Sequence, residues 1–188
     1  SRTLTGLSDE DQNFVKSLTL LSAKPVLYIC NVMDPGDTDN ELVQKVKAIA
    51  AEDGSVVVAL AGKIEGEIME MEDPEEQQMF MEEMGLTETG LDRMISAGYG
   101  LLDLATYFTA GEKETRAWTV PQGTRAPQAA AVIHTDFEKH FIRAEVVPYE
   151  DLVAGGSWAT ARDQGKLRTE GKDYIFKDGD VTVFLTSA

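Results

Sequence analysis

Two short, nearly unbroken apolar runs, residues 24–31 (KPVLYICN) and 55–60 (SVVVAL), read as strands of a parallel sheet covered on both faces. Between them Leu42, Val43, Val46, Ile49 and Ala50 share one helical face, with Asp39 or Asn40 able to cap its start and Gly54 just past its end. Strand, helix, strand at this spacing predicts a right-handed βαβ crossover. Both loops that follow the strands then open at one carboxyl edge, where α/β sheets bind ligands. Downstream, Asp73, Pro74 and Glu76 predict a helix start with a reciprocal cap. Met79, Met81 and Met84 read as gap-fillers of a core. A further helix puts Leu91, Met94, Ile95, Gly98, Leu101 and Leu102 on one stripe, with Gly98 allowing close packing. That helix is expected to clamp this module to the next.

Beyond residue 103 the pattern changes to short strands. Residues 106–109 and 115–120 predict a hairpin turning near Gly111. Pro127 opens a short helix over 128–134, and 141–147 returns as a strand before two more short helical stretches. Residues 174–176 and 181–185 bracket Asp178-Gly179-Asp180 and predict a closing hairpin. The fold class expected is therefore α/β followed by α+β, the second part a sheet wrapped on one helix, as in β-grasp modules.

Composition sharpens this division. A chain of 188 residues can bury one sizeable core or two small ones. Residues 1–103 hold 7 Lys+Arg and 21 Asp+Glu, and residues 104–188 hold 10 and 12, so the halves carry −14 and −2 of the net −16. Such acidity disfavours binding of a phosphate backbone by the whole chain and confines any nucleic-acid contact to a local patch. The lone Cys30 cannot form an internal disulfide, and no long apolar run or leader is visible. A cytoplasmic setting without a membrane partner is expected.

Candidate chemistry is sparse. Asn31, Val32, Met33 and Asp34 form an Asn-x-x-Asp tetrad at the first strand's end, and Ala61, Gly62 and Lys63 lie at the second's. Either the amide and carboxylate hold a purine edge, or the four residues are a turn that Pro35-Gly36 completes. The acidic cluster from Glu70 to Glu76 has no His or Cys beside it and complements a helix dipole rather than a metal. His134 and His140 lack a nucleophile or ligand partner at a familiar spacing. His134 is expected to end a helix and bond to nearby backbone, and Cys30 to act as a small hydrophobe, so no residue is assigned a catalytic or metal role. Lys113, Arg116, Arg125, Lys139 and Arg143, with Tyr107, Phe108, Trp118 and Phe141 interleaved, form either a basic sheet face that stacks RNA or a solvated face over an aromatic core.

The blocks KPVLYICNV (24–32), GLDRMISAGY (90–99), TYFTAGEKETRAWTV (106–120), APQAAAVIHTDFEKHFIRAEV (126–146) and GKDYIFKDGDV (171–181) closely resemble the C-terminal half of the YchF family of Obg-related P-loop NTPases. The resemblance implies that residues 1–22 end an inserted helical segment. Residues 23–103 would be the last part of the nucleotide-binding domain with its connecting helices, and 104–188 a TGS domain of β-grasp type. It implies that the Asn31 amide and the Val32 backbone contact the base, with Met33 and Asp34 completing the tetrad and the loop 61–63 supporting the base from the other side. It also implies ATP or GTP with Mg²⁺ in the intact protein, and association with the large ribosomal subunit or RNA through the second module.

Two departures qualify the resemblance. The family usually has Asn-x-x-Glu where this chain has Asp34, the residue that reads guanine in Asn-Lys-x-Asp GTPases, whereas Val32 lacks that motif's lysine. ATP is expected to remain preferred or to be rivalled by GTP. No G-x-x-x-x-G-K-[ST] run occurs in the sequence. The phosphate clamp of phosphoryl transfer is then expected outside this chain, which alone would bind nucleotide feebly and hydrolyse none. The rival expectation is a stand-alone RNA- or protein-binding adaptor in which the α/β part is scaffold.

Overall fold

The computed structural model describes residues 7–111 and 114–187. The chain divides into two compact units, Ser1–Leu102 and Asp103–Ala188.

In the first unit, helix α1 (Asp9–Ser17) starts where the Ser8 hydroxyl accepts from the Asp11 N–H. Strands β1 (Leu27–Asn31) and β2 (Val56–Leu60) pair in parallel, with Leu27 opposite Val56 and Asn31 opposite Leu60. Helix α2 (Glu41–Asp53) joins them. The Asn40 side chain caps it by accepting from the Leu42 and Val43 N–H groups, and Gly54 ends it in the left-handed region at φ 71°. Helices α3 (Gly62–Met69), α4 (Pro74–Glu83) and α5 (Gly90–Leu101) follow. Both α2 and α5 pack on the two strands.

Several local expectations need correction here. A two-stranded sheet cannot bury the whole of each apolar stripe laid against it. Ile29 is 47% exposed, so the faces of β1 are not fully covered. In α2 only Val43 and Ala50 are buried, while Leu42 and Ile49 are exposed. The inward face of α5 is Gly90, Arg93, Met94, Ala97, Gly98 and Leu101, whereas Leu91, Ile95 and Leu102 point outward. This helix packs on its own unit's sheet. The close approach expected at Gly98 occurs instead at Gly90, because a Cβ at Gly98 would meet nothing within 4 Å. Met79 and Met84 are exposed rather than core. Asp73 caps α4 by accepting from the Glu75 N–H, and the reciprocal capping box stands one helix later, between Thr89 and Asp92.

The second unit is a mixed five-stranded sheet. Strands β3 (Leu104–Ala110) and β4 (Thr115–Pro121) form a hairpin, followed by α6 (Ala126–Ile133), α7 (Thr135–Lys139) and β5 (Phe141–Pro148). Helices α8 (Tyr149–Gly155) and α9 (Trp158–Asp163) precede β6 (Arg168–Glu170) and β7 (Asp180–Thr186). The order is β4-β3-β7-β5-β6, with β3 and β7 parallel and the remaining pairs antiparallel. Ala126, Ala129 and Ala130 let α6 lie close on this sheet, above Ala105, Tyr107, Val120, Phe141, Ala144 and Val146. The Tyr107 hydroxyl donates to the Ala129 carbonyl at 2.8 Å.

The expected closing hairpin does not form. Residues 174–176 make only an isolated bridge, Ile175 with Arg125, because β7 spends its backbone on β3 and β5. Phe176 turns into the core against Tyr107, ring centroids 4.9 Å apart. The Tyr174 hydroxyl donates to the buried Asp180 carboxylate at 2.7 Å, which also accepts from the Lys177 N–H at 2.9 Å. Strand β6 carried no period-2 signal at three residues and was not expected.

Burial, reinforced by the bond to Asp180, pushes the Tyr174 hydroxyl up to about 12, and burial raises that of Tyr107 as well. A raised phenol holds its proton more tightly folded than unfolded. Its contribution is therefore complete below an unfolded tyrosine's value near 10 and is lost as pH climbs from there through about 12. Urea midpoints of the second unit, compared at pH 8 and pH 11.5, should fall more steeply for the parent than for Tyr174→Phe. Equal falls would contradict this reading of Tyr174.

Candidate functional site

The parallel register sets Asn31 beside Leu60, so the residues just beyond the two strands meet at one edge. There the Asn31 Oδ1 accepts from the Gly62 N–H at 3.1 Å, a bond between the last residue of β1 and the first of α3, 31 residues apart; the segment 61–63 expected as a loop is thus the start of that helix. The Asn31 Nδ2 has no protein partner among the described residues and stays available as a donor. A Cβ at Gly62 would meet Asn31 Oδ1 and Leu60 Cδ1, each at 3.2 Å, so the glycine permits this approach.

Val32 carries the ladder one residue further, its N–H donating to the Leu60 carbonyl at 2.9 Å. That leaves its carbonyl, not its N–H, for a ligand. Met33 is 86% exposed. Asp34 performs the turn role that the sequence left open: its Oδ1 accepts from the Gly36 N–H at 2.8 Å and caps a short 3-10 turn, Pro35–Asp37. Its second oxygen has no protein partner among the described residues. Ala61 is fully buried, and Lys63 is exposed, 3.9 Å from Glu67. Asn31 and the 61–62 backbone thus converge, while Met33 and Lys63 stand in solvent.

One residue at this edge escaped sequence reasoning. Glu65, one turn into α3, has a side chain only 8% exposed. Its Oε1 accepts from the Ala61 N–H at 2.9 Å and from Arg93 Nη2 at 3.2 Å, and its Oε2 accepts from the Gly90 N–H. A cavity of about 520 Å³ beside it is lined by Ile29, Asn31, Leu60, Gly62, Met69 and Met94 among others. Nothing in the sequence singles Glu65 out; in the structure Gly90, directly after the Thr89 cap and without a positive φ, is the glycine that its approach requires.

In the second unit the single basic face is not formed. Arg116 lies on the core side of β4, its guanidinium 4.2 Å over the Trp118 ring. Arg143 alternates with the buried Ala144 and Val146, so it lies on the opposite face, 3.8 Å from Glu145. Arg125 precedes α6 and pairs with Asp173 at 3.1 Å, Lys139 closes α7, and Lys113 lies outside the described residues. Tyr107 and Phe141 belong to the core, and Phe108 packs 5.9 Å from Tyr149. His134 ends α6 and its Nδ1 accepts from the Asp136 N–H at 3.3 Å, a structural role. Among the described residues no group of three or more His, Cys, Asp and Glu is placed to hold a metal ion. No helix among them is long and apolar enough to cross a membrane.

Comparison with known proteins agrees over both units. The family model YchF-GTPase_C, described as a protein of unknown function (DUF933), matches residues 104–187. The ribosome-binding ATPase YchF of Bacillus subtilis is 53% identical over 180 residues, 94% of this chain and 49% of that protein. Obg-like ATPase 1 of Gallus gallus is 39% identical over 94% of the chain and 45% of its own length. A solved structure of the Schizosaccharomyces pombe YchF GTPase superposes with a TM-score of 0.78 at 35% identity, covering 95% of this chain and 48% of that one. Since these matches run through the paired strand ends as well as the five-stranded sheet, the chain belongs to the YchF family, and it spans about half the length of the curated relatives it matches.

Proposed function

We propose that this chain supplies the base-reading corner and the partner-binding module of a YchF-type P-loop ATPase that works with the ribosome in the cytoplasm. The observation that carries the reading is the Asn31 to Gly62 bond. It holds one free amide donor and one glycine backbone at the carboxyl edge of a parallel sheet, where α/β folds take nucleotides. In this reading the Asn31 Nδ2 donates to the base, the Val32 carbonyl and the free Asp34 oxygen lie along its edge, and residues 61–63 at the start of α3 back its ring. The phosphate clamp and Mg²⁺ chemistry belong to a P-loop that this sequence does not contain. Residues 1–22 are assigned to the end of a helical insertion and 23–103 to the nucleotide-binding domain.

The second unit is read as a TGS domain of β-grasp type. Its parallel pair, β3 with β7, and the helix α6 packed on the sheet support that reading. The names of the bacterial relatives, ribosome-binding ATPases, point to the ribosome as the partner of the whole protein. The divided placement of the basic residues leaves Arg116, stacked on Trp118, as the best candidate for a stacking contact with RNA.

Relatives are named both as ATPases and as a GTPase, so base choice is the sharpest question. Asp34 has its Oδ1 committed to Gly36, which leaves one oxygen for a base edge. Guanine presents two N–H donors to a carboxylate, adenine presents none in that place, and a site built on such bonds discriminates strongly. Joined to a P-loop-bearing half of the family, the chain should bind ATP at least as well as GTP. Asp34→Glu should raise the ATP-to-GTP affinity ratio about tenfold or more. An unchanged ratio would contradict the assignment of Asp34 to the base edge, and binding of GTP alone would contradict the ATP expectation.

A further inference from the structure

We propose that Glu65 is the positioning residue of the base site, fixing the Ala61-Gly62 backbone that Asn31 also grips; the inference rests on the base-site reading above. A buried carboxylate is costly unless paired and hydrogen-bonded. Glu65 is satisfied by donors from two separate elements, the Ala61 N–H of its own loop and the Gly90 N–H and Arg93 guanidinium of α5. The next peptide along, the Gly62 N–H, is held by Asn31 Oδ1.

Consecutive N–H groups are therefore both clamped, one by the base-reading amide and one by Glu65. The orientation of the Asn31 side chain follows, because its Oδ1 is tied to a backbone that Glu65 holds still, and its Nδ2 is thereby aimed. Arg93 in turn anchors Glu65. Outer partners of this kind set the geometry of a binding group without touching the ligand. Glu65 therefore acts on affinity through pre-organisation and contacts no part of the base.

The test uses adenosine, which carries the base without phosphates, titrated at millimolar concentration into the ¹⁵N-labelled chain. Shifts are read at the Gly62 and Met33 amides, and hydrogen exchange at Ala61 and Gly90. Glu65→Gln keeps one acceptor but loses the charge, and should weaken adenosine about fivefold or more while exchange at Ala61 speeds up about tenfold or more. Arg93→Gln, which leaves both amide bonds in place, should weaken adenosine about two- to threefold and carries the test if Glu65→Gln does not fold. Asn31→Ala should abolish the titration. If Asn31→Ala leaves it unchanged, the base-site reading itself fails, and the proposal with it. If Asn31→Ala abolishes it while the folded Glu65 and Arg93 variants bind like the parent, the base site stands and the role of Glu65 is overturned.

Discussion

Gly90→Ala is expected to destabilise the first unit by about 3 kcal/mol, although alanine is the better helix former. A Cβ there would lie 2.5 Å from Leu60 Cβ and 2.7 Å from Glu65 Oε2. Neither neighbour can yield, since Leu60 is set in the parallel pair and Glu65 is held by three donors. Overpacking of this kind costs about 1–3 kcal/mol. Pushing α5 away also breaks the Gly90 N–H bond to a buried carboxylate, worth about 1.5–3 kcal/mol. Against these, the helix-propensity gain is at most about 1 kcal/mol. Gly98→Ala is the internal control: it lies in the same helix, a Cβ there meets nothing within 4 Å, and it should be neutral or slightly stabilising. Both tryptophans, Trp118 and Trp158, belong to the second unit. Tryptophan fluorescence is thus blind to this change, and urea unfolding should be followed by amide exchange within β1 and β2. Equal stabilities for the two alanine variants would show that α5 does not press on Leu60 and Glu65.

Tyr107→Ala should cost the second unit about 4 kcal/mol, a large part of what a domain of this size has. Tyr107 is fully buried on the central strand β3, its ring between Phe176 at 4.9 Å and Phe184 at 5.9 Å, and its hydroxyl ties α6 to the sheet through Ala129. Tyr107→Phe keeps the ring and loses one bond, so it should cost only about 1 kcal/mol. The order Ala far worse than Phe, read from urea midpoints by tryptophan fluorescence, checks that packing and not the hydroxyl dominates. A loss under about 2 kcal/mol for Tyr107→Ala would mean that α6 is held mainly by other contacts.

What was legible in the sequence was whatever local chemistry decides. Asn40 and Gly54 bracket α2 because a cap and a left-handed glycine act within one turn. The convergence of residues 31 and 62 follows from two strands and a crossover of the right length. What depends on distant chain was not legible. Glu65 sits in GKIEGEIM like a solvated helix residue, and only the approach of Gly90, 25 residues on, makes it a buried hub. The pairing of β7 with β3 and β5 is set by contacts across the unit, so the local Asp-Gly signal near 178–180 misled. Arg116 and Arg143 fall on opposite faces because register, together with a bulge between Phe141 and Arg143, sets the phase of strands far apart in sequence. Asp34 shows the limit in another way. Its turn-forming bond and the base-reading assignment use different oxygens of one carboxylate, so composition could not choose between them.

The base-reading corner is tested most directly by photolabelling with 2-azidoadenosine 5′-triphosphate, followed by peptide mapping of the adduct, in the chain joined to a P-loop-bearing half. Label on residues 31–36 or 61–66, suppressed by excess ATP and lost in Asn31→Ala, is the predicted result. ATP-suppressible label confined to the second unit, or undiminished by Asn31→Ala, would contradict it.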